Sequence, residues 1–141
     1  MSKTKVRLLP QNQASQLISL AERAQQSLSR YAGVEVEYNA VGMQMLDEWI
    51  DRQLRQTPHP SKQVILVWAA FFGAVFRRRF NGRWIMQYNA KGQAQLGVAC
   101  PKGRSYYFIN VMEQIQKRIR EGMQESLAFY YTITGMDIKA G

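Results

Sequence analysis

The chain has 141 residues, 46% of them apolar and 21% charged, with a formal net charge of +9. Such a length suits one domain able to bury about two-thirds of its unfolded surface, and the composition is ordinary for a soluble globular protein. A single cysteine excludes an intramolecular disulfide, and one cysteine with one histidine excludes a zinc set of Cys and His ligands. Neither a metal nor a cofactor is expected.

The opening MSKTKVRLLPQNQ carries charges but no apolar signal region, so a cytoplasmic protein in a reducing compartment is expected. Residues 1–9 read as a loose lead-in. After Pro10, a residue suited to helix starts, Ala14, Leu17, Ile18, Ala21, Ala24, Leu28 and Tyr31 recur at helical spacing up to Gly33. Val34 to Tyr38 alternates like a short extended segment. Asn39 then caps a second helix to about Gln56, with Leu46, Trp49, Ile50 and Leu54 facing inward. Its charges are spaced to pair as Glu48 with Arg52 and Asp51 with Arg55, acid preceding base.

Thr57-Pro58-His59-Pro60 is a stiff turn, and Ser61 an N-cap for the helix that organises the chain. Val64 to Phe76 is apolar on every side, which marks a helix at the centre of a core, and thirteen residues are too few to span a membrane. Arg77, Arg78 and Arg79 close it, and Asn81-Gly82 supplies the left-handed stop. A strand over 83–88 returns as 94–100. A loop of about five residues pairs Trp84 with Val98, Met86 with Leu96 and Tyr88 with Ala94, which superposes the two apolar faces.

Pro101 to Ser105 is a loop, and Tyr106 to Asn110 either adds a third strand or opens the next helix, which runs to Gly122. Gln114, Lys117, Arg118 and Glu121 form the wet side of that helix. A last helix from about Gln124 puts Leu127, Tyr130, Tyr131 and Thr134 on one stripe. The expected architecture is one α+β domain over 1–141: four to five helices around the central helix at about 62–80, with an antiparallel hairpin at about 83–88 and 94–100. Trp68, Phe72, Trp84 and Leu96 belong to its core, and the ends at about 1–9 and 135–141 are loose.

Charge is the functional signal. No acid occurs between Asp51 and Glu113, an interval that holds ten bases. A surface of that kind steers anionic partners. Arg77, Arg78, Arg79 and Arg83 bracket the helix–hairpin junction, and the return strand should bring Lys102 and Arg104 beside them. These six are the candidate partner-binding residues. Three consecutive arginines fan around a helix, however, and cations in a last turn also serve the helix dipole.

Catalytic chemistry has little to build on. Cys100 lies on the inward face of a strand, His59 sits between two prolines, and no phosphate loop, dinucleotide fingerprint or serine elbow occurs. The expectation is a non-enzymatic binding or adaptor protein that docks an acidic protein partner through its basic surface. Sequence-nonspecific nucleic-acid binding is the alternative, with basic–aromatic runs such as Arg104 to Phe108 in its favour. A homo-oligomer through the Tyr130-Tyr131 helix is a third reading, and no membrane partner is expected.

Gly73 ahead of Arg77, the run Arg79-Phe80-Asn81-Gly82-Arg83-Trp84, a hairpin, and Lys117-Arg118 with Ser126-Leu127 and Tyr130 together resemble a bacterial domain family of unknown function. Its pattern is a helix with Gly and Arg running into Gly-x-Trp at a strand start, here covering roughly residues 40–134. Ala74 stands where an acid often follows the helix glycine. The resemblance implies a small α+β domain similar in architecture to proteins that bind and neutralise partners such as bacterial toxins.

Overall fold

The computed structural model describes residues 5–140. In chain order these form β1 (Lys5–Leu8), α1 (Gln11–Ala32), α2 (Ala40–Gln56), α3 (Lys62–Arg79), β2 (Arg83–Tyr88), β3 (Ala94–Lys102), β4 (Ser105–Asn110), α4 (Val111–Glu121), a 3₁₀ turn (Gly122–Glu125) and α5 (Leu127–Lys139). The four strands make one antiparallel sheet in the order β1-β2-β3-β4. The fold is α+β, built on the expected hairpin. No helix is long and apolar enough to cross a membrane among the described residues.

The hairpin register is the one the alternation predicts: Trp84 opposite Val98, Met86 opposite Leu96, Tyr88 opposite Ala94. Tyr106 to Asn110 resolves as the third strand of that meander. Both ends are more ordered than expected. Residues 5–8 pair with β2, and 135–139 continue the last helix; residues 1–4 and 141 lie outside the described ones.

Ser61 caps α3, its hydroxyl accepting from the Val64 N–H. The first turn of the helix lies at the surface, while every residue from Trp68 to Phe76 is buried. The helix ends in a Schellman motif, with the Gly82 N–H donating to the Arg77 carbonyl and Asn81 in the left-handed region at φ 54°. Gly82 is required there, because a Cβ would come within 2.6 Å of Val98 Cγ1 on β3. Nine residues earlier, Gly73 leaves room for the Trp84 ring, which a Cβ would strike. Two glycines thus let α3 lie directly on the sheet it feeds. Leu96 is only half-buried, since its end of the hairpin extends past the helices.

The second anchor is polar. Arg118 on α4 is fully buried, and its Nε donates to Asp47 Oδ1 on α2 at 2.8 Å. Arg118 Nη2 donates to the Asp47 carbonyl and to Asp51 Oδ1. Asp47 also accepts from the Leu127 and Ala128 N–H groups and from the Ser126 hydroxyl. Ser126 Oγ in turn accepts from the Phe129 N–H. The free amides at the start of α5 are thus taken up by one serine and one carboxylate from another helix. Asp51 therefore turns to Arg118 and not to Arg55, and Arg52 lies over the Tyr31 ring at 5.0 Å. Arg118 therefore stands with Val111 and Ile115 on the inward face of α4, and not on its wet side as expected.

Two substitutions test these anchors by urea unfolding. Trp84→Ala should cost about 3–5 kcal/mol, the usual penalty for emptying a large buried aromatic site. Asp47→Ala should cost about as much, because it strands the Arg118 guanidinium in the interior. A loss under about 1 kcal/mol in either would remove that anchor from this account.

Candidate binding surface at the cationic end

The register places the two ends of the basic region together. Arg83 pairs with Ala99, and β3 continues three residues further to Lys102 before turning through Gly103 and Arg104. At about 3.3 Å per residue the turn lies some 10 Å past the helix–hairpin junction. Within that neighbourhood the six cations take different surroundings.

Arg77 is half-buried, with its Nε enclosed and without a hydrogen-bond partner. Arg78 covers the Tyr38 ring at 3.8 Å from its centroid, in a groove that also holds Glu35 and Glu37. Tyr38 stacks on Phe71 below it, and burial raises its pKa against the pull of the Arg78 charge. Arg79 lies over Phe80 and Tyr131, and the Tyr131 pKa is raised by burial and partly restored by Arg79. Lys102 Nζ donates to the Asp137 carbonyl at 2.7 Å and approaches its carboxylate at 3.4 Å. Arg83 and Arg104 are exposed, the first at the start of β2 and the second at the tip of the β3–β4 turn. The expected cluster is therefore divided, with Arg77 half-buried and Arg78 taken up by Tyr38. Arg79 and Lys102 lean on α5, while Arg83 and Arg104 belong to the sheet.

Arg79 borders a groove of about 390 Å³ between the α2 N-terminus and α5, lined also by Asn39, Ala40, Tyr131, Thr132, Gly135, Met136 and Lys139. Along the outer side of α5 stand Phe129, Ile133 and Met136, exposed by 62%, 50% and 65%. Their spacing of four and three residues puts them on one helical face. Tyr131 is buried, and Tyr130 packs its ring against Phe72 and Phe76, so the tyrosines expected as a self-contact are committed to the core. The outward stripe escaped sequence reasoning because α5 is apolar all round. The signal was there in the absence of any charge from Ser126 to Met136.

Reactive groups are placed apart. Cys100 is sealed on the inner face of β3, where burial pushes its thiol pKa up to about 12, while His59 is exposed in the α2–α3 turn. Burial likewise pushes the Tyr130 phenol up to about 12. In the unfolded chain these groups lose protons near 8.5 and 10. Between those values and 12 the unfolded state has shed protons that the folded state keeps, so stability falls as pH rises through that window. Urea midpoints should drop from pH 8 into the alkaline range, and Cys100 should resist thiol reagents until the protein unfolds. A midpoint that holds steady there, with a thiol titrating in the native state, would contradict this placement.

Compared with known proteins, the chain matches no family model, no curated protein and no solved structure.

Proposed function

We propose that this is a non-enzymatic binding protein that docks an acidic protein partner, with α5 and its cationic rim as the contact. The observation that carries the reading is the stripe of Phe129, Ile133 and Met136, three large apolar side chains left in water on one helical face. Folded domains leave such side chains together in solvent mainly where another surface covers them. Arg79 and Lys139 line the groove beside the stripe, while Asp137, the acid on this helix, is held by Lys102. An apolar ridge flanked by carboxylates complements that pattern, with charge speeding the encounter and apolar burial holding the complex. The sealed thiol and remote histidine support a binding role over catalysis. A partner-neutralising or accessory role, as the resemblance implies, needs only such a surface.

Ile133→Glu and, separately, Arg79→Glu should each lower capture of the partner from host extract by about tenfold or more. Both should leave the unfolding midpoint near that of the parent chain, since neither side chain is buried. Capture should survive nuclease and weaken only gently with salt. Capture that both variants retain, or that nuclease abolishes, would reject this docking surface.

A further inference from the structure

We infer that the helix-free face of the sheet binds single-stranded nucleic acid, a second activity on the opposite side of the domain from α5. The two faces follow from the register. Trp84, Val98, Cys100 and Ile109 point inward beneath the helices, which leaves the alternate positions on the outer face, where Ile85 is itself buried outside the main core. Every acidic residue of the chain lies outside the strands, so the sheet carries only positive side-chain charge. Arg83 stands in the same cross-strand row as Ala99 and Phe108, with Arg104 at one end of the sheet and Lys91 in the turn at the other.

Two aromatic rings lie across this face. Phe108 from β4 reaches over Gly97 of β3, where an added Cβ would meet its Cζ at 2.6 Å. Tyr106, two residues away on the same strand and face, spans β3 so that its hydroxyl donates to Gln87 Oε1 on β2 at 3.0 Å. Each ring thus reaches across the neighbouring strand on this face. Both side chains keep part of their surface in solvent.

Flat aromatic rings beside guanidinium groups, with no carboxylate among them, suit unpaired bases strung on phosphates. The ligand class is single-stranded because the bases of a duplex are already stacked and out of reach of such a platform. Discrimination between bases should be small. Stacking accepts every base, and the amides of Gln87 and Gln95 can donate or accept. The formal charge of +9 adds a general attraction to the polyanion.

The test uses the whole chain and a fluorescein-labelled oligothymidine of about 12 nucleotides, within the usual span of single-strand sites, read by anisotropy across a salt series. Affinity should fall with salt at a log–log slope near −0.7 per neutralised phosphate. Arg83→Glu with Arg104→Glu should weaken binding about tenfold or more and flatten the slope by about 1.4, two phosphates' worth. Tyr106→Leu with Phe108→Leu should weaken it about tenfold or more while leaving the slope in place. A strand of equal length lacking bases should bind the parent chain as poorly as that leucine pair binds the intact strand, an arm that needs no mutation to fold. Equal affinity for the base-free strand, tighter binding of a duplex, or no binding at all would overturn the inference. So would binding lost through Ile133→Glu on α5 but kept by both sheet variants.

Discussion

Taking a carboxylate and a guanidinium out of water costs several kcal/mol per ion unless the pair and its hydrogen bonds return it. Asp47 and Arg118 meet 71 residues apart in the chain, through Arg118 Nε and Nη2, while Nη1 is buried without a partner. Asp47 uses both oxygens twice, on Arg118 and Leu127 through Oδ1 and on Ser126 and Ala128 through Oδ2. Three helices and the 3₁₀ turn between two of them are therefore tied at one point. That tie sets where α5 starts and which of its sides faces outward. The exposed stripe of Phe129, Ile133 and Met136 is a consequence of a carboxylate on α2.

The sheet depends on a different constraint, the close approach of α3. Gly73 admits the Trp84 ring and Gly82 lets Val98 pass, so the helix that ends at Arg79 lies on the strands that follow it. The pattern that resembles a bacterial domain family consists in good part of these residues, together with Arg118, Ser126 and Leu127. In this structure each of them has a packing or capping task. The resemblance therefore bears on how the chain folds, whereas the cations that face solvent alone, Arg83 and Arg104, are free to take on a ligand.

Much of the fold is legible locally. Alternation on both sides of a short turn sets the hairpin register, and an apolar run bounded by a capping serine and Asn-Gly sets the central helix. What escapes local reading depends on partners far along the chain. Arg118 follows Lys117 on a polar helix and looks solvated until Asp47 is brought beside it. Gly135 looks like the end of a helix, yet it sits within α5 against the Phe80 ring. The candidate site divides the same way. Register alone brings the 101–105 turn to the helix–hairpin junction, but the roles of Arg78, Arg79 and Lys102 are set by Tyr38, Tyr131 and Asp137 on other elements.

β1 is four residues long, exposed throughout, and pairs with β2 across more than half the chain, Lys5 opposite Tyr88. It has little burial to resist local opening, and its ladder closes a long loop late in folding. Its amides should thus exchange with solvent well before those of β2 and β3. While β1 is in place, its Lys5 and Arg7 are the edge charges that discourage another chain from pairing; when it lifts away, β2 becomes an unpaired edge beside the open face. The shortest strand acts as a detachable margin, setting how much of the sheet's rim is covered at any moment.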